Sequence, residues 1–188
     1  ITHAGGPAVM LTDALSKGGL EVPQLSGEKA DELKSKLFSG SSVANPIDFL
    51  ATGNAEQLGL IIDAVNSDFD DIDGMIVIFG TPGLTPIFDV YELLDQKIKT
   101  SKKPIYPVLP STFTASKEVA SFLEKGQINF PDEVLLAQAL TKIYSTPKPE
   151  LEAIDYPEID FGYIQAIIDS NENGYLSPSA VRSLLDGA

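Results

Sequence analysis

Three short segments carry residues whose types and spacing suit anion chemistry. The first is His3-Ala4-Gly5-Gly6-Pro7-Ala8-Val9-Met10. It reads as the end of a strand, a turn on two glycines, and a helix with Pro7 at or near its first position. A helix opened this way presents free backbone N–H groups and the positive end of its dipole, the combination that holds phosphates and carboxylates. The dipole alone contributes about 0.3–1 kcal/mol, rising to ~2 kcal/mol in a partly buried setting. The competing reading is a tight strand-to-helix turn with no ligand. The segment is neither a Walker A loop, since no Gly-Lys-Ser/Thr follows, nor a full Gly-x-Gly-x-x-Gly dinucleotide fingerprint.

The second segment, Phe79-Gly80-Thr81-Pro82-Gly83-Leu84-Thr85-Pro86, follows the strongest apolar run and precedes a helical pattern. It therefore belongs on the same functional edge, with a plain loop as its rival reading. In the third, Asn45-Pro46-Ile47-Asp48, an Asn-Pro turn with an Asp could hold a loop through side-chain-to-backbone bonds. A structural role is the simpler account there. His3 is the one histidine, and a lone histidine at a strand end is more often structural than reactive.

Two other clusters lead nowhere chemically. Asp169-Ser170-Asn171-Glu172-Asn173-Gly174 begins like a calcium-binding EF-hand loop, but Ala180 stands where the bidentate Glu is required. Asp68, Asp70, Asp71 and Asp73 precede a strand and read as a solvated acidic turn. No catalytic residue and no metal site is assigned.

The elements that must position these segments alternate. Met75 to Phe79 is a continuous apolar run closed by Gly80, as expected of a strand covered on both faces. Ile105 to Leu109 is a second strand, and its Pro107 favours a place nearer the sheet edge. Leu20 to Leu25 and Ile128 to Phe130 are shorter, weaker strands. Helical periodicity appears in Leu58, Ile61, Ile62 and Val65 behind Asn54, and in Ile87, Val90, Tyr91, Leu94 and Ile98 behind Thr85-Pro86. It returns in Leu136, Leu140 and Ile143, behind Pro131-Asp132. Strand–helix alternation means right-handed crossovers and a doubly wound parallel sheet, with ligands beyond the carboxyl ends of its strands.

Composition agrees with a folded α/β chain and narrows its ligands. Of 188 residues, 43% are hydrophobic and 21% charged, enough to build a core. The net charge of −14 argues against nucleic acid, which is held by Lys/Arg neutralisation. A phosphate would have to be held by local devices such as helix N-termini. Cysteine is absent, which removes disulfide and thiolate chemistry and is compatible with a cytoplasmic location. No apolar run approaches the ~20 residues of a membrane span. Without an initiator Met, and starting at a strand end, the chain reads as excised from something longer.

Taken in order, Thr2-His3-Ala4-Gly5-Gly6-Pro7, Asn45-Pro46-Ile47-Asp48 and Ile78-Phe79-Gly80-Thr81-Pro82-Gly83 resemble the second ligase-type domain of ADP-forming acetyl-CoA synthetases. Succinyl-CoA synthetase and ATP-citrate lyase form the wider superfamily. The resemblance spans roughly residues 1 to 145 and rests on the ordered set rather than on any one motif. It implies a flavodoxin-like domain over 1–145, a Pro-rich linker over 146–159, and over 160–188 a helical appendage that starts a truncated ATP-grasp domain. Gly174-Tyr175-Leu176-Ser177 to Ala188 looks like the opening helix of that domain.

The activity the resemblance implies interconverts acyl-CoA, phosphate and ADP with carboxylate, CoA and ATP through a phosphohistidine. Phosphate or substrate contacts would then fall on Gly5, Gly6, Pro7, Gly80, Thr81, Pro82 and Gly83. Asn45 and Asp48 would structure their loop. The family usually has Asn where this chain has His3, and carries its phosphorylated histidine in the preceding domain, so His3 is implied as a phosphate neighbour rather than the acceptor. CoA, ATP or ADP and magnesium would belong to the whole enzyme and no cofactor to this chain, which by itself would be inactive. Its partners would be the CoA-binding, phosphohistidine and ATP-grasp domains or subunits, with no nucleic acid and no membrane. Two rivals stand: the synthetase-like regulatory region of a protein lysine acetyltransferase, and an unrelated flavodoxin-like binding module.

Overall fold

A computed structural model describes residues 1–81, 87–149 and 158–187. The chain divides into two compact units, Ile1–Pro147 and Lys148–Ala188.

The first unit is built on a parallel sheet. β1 (Met75–Ile78) and β2 (Ile105–Val108) pair in parallel, Met75 opposite Ile105 and Ile78 opposite Val108. Single bridges widen the sheet on both sides. Thr2 lies parallel to Ile78 and, on its other flank, to Asp48, while Phe130 lies parallel to Val108. The backbone bonds follow: Ile78 N–H donates to Ile1 O at 2.9 Å, Thr2 N–H to Ile47 O at 2.8 Å, and Phe79 N–H to Val108 O at 3.0 Å. Across the sheet the chain passes through residues 48, 2, 78, 108 and 130, which is the flavodoxin-like order 2-1-3-4-5.

Helices cover both faces because strand side chains alternate. Met75, Val77 and Phe79 enter one core with residues of α2 (Glu28–Lys36), α3 (Ala55–Asp68), α4 (Phe88–Thr100) and α5 (Ser116–Glu124). Ile78 and Val108 enter the other with α1 (Gly5–Lys17) and α6 (Glu133–Ser145). The sheet is doubly wound. Caps mark the helix starts: Asn54 accepts from Gln57 N–H at 3.0 Å and Asp132 from Leu135 N–H at 2.8 Å. The expected Thr85-Pro86 cap lies outside the described residues, and α4 begins at Phe88.

Two expectations change. Leu20 to Leu25 forms no strand; the second position in the sheet belongs to Ile47-Asp48-Phe49. Pro23 cannot donate to a ladder, and its carbonyl is instead held by Asn45 Nδ2 at 2.8 Å. Of Ile128 to Phe130, Phe130 alone makes a sheet bridge. Pro107 sits in β2, one place in from the edge, on the side where its missing N–H faces that short fifth segment.

The second unit holds α7 (Phe161–Asp169) and α8 (Pro178–Asp186). Asp160 caps α7, and Ser177 caps α8 ahead of Pro178. Neither helix has a buried residue. Among the described residues, no helix is long and apolar enough to cross a membrane.

Candidate functional site

The crevice follows from the winding. Thr2 and Ile78 are sheet neighbours, yet α1 leaves the first strand towards one face and α4 packs on the other. Diverging connections at adjacent strands open a gap at the carboxyl edge, where ligands of such folds bind.

On one wall, Thr2 shapes the turn. Its buried hydroxyl accepts from Ala4 N–H at 3.0 Å and donates to Ala4 O at 2.8 Å. That turn leads into α1 through an extended Ala4 at the N-cap, with no side-chain cap. Gly5 and Gly6 are exposed, and a Cβ added to Gly6 would meet nothing within 4 Å. Pro7 is the third helical residue, in the turn whose N–H groups have no intrahelical acceptor. The first-turn amides of α1 thus open at the carboxyl edge.

Asp48 flanks this opening. Its Oδ1 accepts from Leu50 N–H at 3.0 Å, and its Oδ2 lies 3.3 Å from where a Cβ on Gly5 would stand. Asn45 adopts a positive φ of 62°, which Asn tolerates better than most residues. Asn45 braces the loop from a distance, whereas Asp48 adjoins the helix opening itself.

The other wall is the turn after β1. Gly80 is buried, and a Cβ there would fall 2.8 Å from Ser111 Oγ and 3.9 Å from His3 Cε1. Only glycine fits without displacing the serine. Ser111 Oγ accepts from Thr81 N–H at 2.8 Å, which ties the loop after β2 to the turn after β1. Pro82 and Gly83 lie outside the described residues. Ser111 escaped the sequence reading, although Pro110-Ser111-Thr112 directly follows a strand and so must reach the same edge.

His3 spans the two walls. Its ring stacks on Phe79 with centroids 4.4 Å apart, and its Nδ1 stands 3.4 Å from Ile78 O. Burial pulls its pKa below the ordinary histidine value, against the opposing pull of the Ile78 carbonyl and the Asp48 carboxylate. Phe79 in turn belongs to an aromatic row with Phe49, Tyr91 and Phe122. Tyr91 OH donates to Phe79 O at 3.1 Å, and burial pushes the Tyr91 phenol up. Among the described residues, no group of three or more His, Cys, Asp or Glu could hold a metal.

Fold and site together define a doubly wound α/β domain with an uncapped helix N-terminus at its switch point. No protein-family model matches the chain. It is similar to the acetate–CoA ligase [ADP-forming] II subunit alpha of Pyrococcus furiosus, 28% identical over 132 residues, which is 68% of this chain and 28% of that relative. In fold it resembles the crystal structure of PH0766 from Pyrococcus horikoshii OT3, with a TM-score of 0.66 and 24% identity over 74% of this chain and 33% of that one. It also resembles the dinucleotide-forming acetyl-coenzyme A synthetase 1 of Ca. Korarchaeum cryptofilum, solved apo and in complex with phosphate and ADP. Both forms give a TM-score of 0.64 and 24% identity over 76% of this chain and 31% of that one. The chain spans a third or less of the length of these relatives.

Proposed function

We propose that this chain is the second ligase-type domain of an NDP-forming acyl-CoA synthetase and supplies a phosphate-receiving helix N-terminus. In that role residues 1–145 form the ligase-type domain, 146–159 a linker and 160–188 the start of an ATP-grasp domain. The whole enzyme would convert acyl-CoA, phosphate and ADP to carboxylate, CoA and ATP in the cytoplasm. The phosphoryl group would travel on a histidine of a neighbouring domain. CoA, the nucleotide and magnesium are assigned to the rest of the enzyme.

The observation that carries the reading is the opening of α1 at the switch point, with Gly5 and Gly6 exposed and no side chain capping them. An acidic chain cannot hold a phosphate by a general positive field, so fixed backbone dipoles must serve. Gly5, Gly6 and Pro7 form one side of the receptacle. Gly80 and Thr81 form the other; Pro82 and Gly83, expected from the sequence to contribute, lie outside the described residues. The chain contributes charge stabilisation rather than a nucleophile, which explains why it would be inactive without the histidine-bearing domain.

Gly6→Asp in the intact synthetase tests this. The side chain has room, and a carboxylate in the first turn stabilises a helix by about 0.3–1 kcal/mol. The same carboxylate would occupy the phosphoryl position. The expected result is undiminished folding stability with ATP formation reduced on the order of a hundredfold, as for loss of oxyanion stabilisation. Unchanged turnover would contradict the reading.

A further inference from the structure

We propose that His3 is the counterion of the receptacle: its ring is neutral while the site is empty and takes up a proton as a doubly charged phosphoryl group arrives. His3 would thereby select the dianion over the monoanion. This rests on the reading of the α1 opening as a phosphate receptacle.

The geometry supplies the argument. Ile78 O can only accept, so Nδ1 carries the hydrogen that faces it. Nε2 is left with the lone pair, the site where a proton from solvent adds without any covalent bond being made or broken. Stacking on Phe79 fixes the ring plane. The ring edge at Cε1 faces Gly80, next to the Ser111 hydroxyl. His3 thus directly precedes the glycines that open α1 and reaches across to the Gly80 turn.

Charge gives the reason. Asp48, on the neighbouring strand, is the charged group that acts on the ring, and its Oδ2 lies beside Gly5. An anion entering the α1 opening would meet that carboxylate. A proton on His3 offsets the repulsion. The remaining walls present Ile78 O, the Phe79 ring, the Gly80 backbone and the Ser111 hydroxyl, none of which titrates near neutrality. The Ile1 α-amino group, which also feels Asp48, is pulled down to about 5 by burial and hydrogen-bonds Ile76 O on the strand side. Burial keeps the empty-site ring neutral, and an opposite charge within ~4–6 Å shifts a titrating group by about one to three pH units.

His3 is the only histidine, so its ring proton resonance stands alone in an NMR spectrum. The 188-residue chain is titrated from about pH 5 to about pH 8, where imidazole changes charge. Chloride serves as reference, with inorganic phosphate and then sulfate, which stays doubly charged throughout, as probes. The Gly5 and Gly6 amide resonances report on the receptacle in the same samples. The expected result is movement of those amides together with a His3 midpoint raised by roughly one pH unit in either oxyanion, equivalent to about tenfold tighter binding by the protonated ring. In His3→Asn, anion binding should persist but lose that pH dependence. Movement of the amides with an unchanged or lowered His3 midpoint would overturn the counterion role and leave the receptacle standing. If neither moves, the receptacle reading fails and the counterion role fails with it.

Discussion

A methyl group on Gly80 would lie 2.8 Å from Ser111 Oγ, closer than any Cβ contact that packing tolerates. Gly80→Ala should therefore push Ser111 off Thr81 N–H and cost about 1–3 kcal/mol through overpacking. Ser111→Ala removes only the hydrogen bond and should cost about 0.5–1.5 kcal/mol. Because both changes act on one contact, the double variant should lose less than the sum, a non-additivity that urea denaturation of the four proteins would read. Strict additivity would mean the two residues do not share that space. His3 makes a second prediction at this scale. Its folded-state pKa lies below that of the unfolded chain, so the unfolded state binds more protons as pH falls below about 6.5. Stability should decline over that interval on acidification, and His3→Asn should flatten the decline; an unchanged slope would place the ring in a solvent-like setting.

At the scale of elements, the strands that carry long apolar runs were legible and the short one was not. Met75 to Phe79 announces itself through five apolar residues closed by glycine, and its faces alternate between the two cores. Leu20 to Leu25 has a weaker pattern, three apolar residues interrupted by Glu21, Pro23 and Gln24, and is drawn into coil, with Leu25 buried and the Pro23 carbonyl held by Asn45. Ile47-Asp48-Phe49 offers only two apolar residues around an acid, below what periodicity can resolve, yet Ile47 and Phe49 are 2% and 0% exposed. Its pairing with Thr2 is a tertiary fact that no local window contains. The consequence is measurable. Phe49→Ala should cost about 3–5 kcal/mol, as for a fully buried core aromatic, whereas half-buried Val22→Ala should cost about 1 kcal/mol or less. Equal costs would contradict the assignment of the second strand. The helix starts were more legible because their chemistry is local: Asn54→Ala should cost about 1 kcal/mol by orphaning Gln57 N–H, checked by thermal unfolding. The candidate site was legible as glycine-rich turns after strands, and Ser111 was missed because its role depends on which two loops the sheet order makes neighbours.

For the whole molecule, the net charge of −14 and the two-unit division set the terms. The second unit exposes Phe161, Tyr175 and Leu185 at 74%, 107% and 72%, and neither of its helices has a buried residue. The match to the Pyrococcus furiosus subunit covers 28% of that relative's length. Supplied with acetyl-CoA, ADP and phosphate, the isolated chain should form no ATP in a coupled assay, and sustained turnover would contradict the division of labour proposed above. The most direct measurement is a phosphate titration followed through the backbone amides. The account predicts saturable, concerted shifts at Gly5, Gly6, Ala8, Gly80 and Thr81, the residues of the two turns assigned to the receptacle. Shifts that are absent there, or that gather elsewhere on the surface, would contradict it.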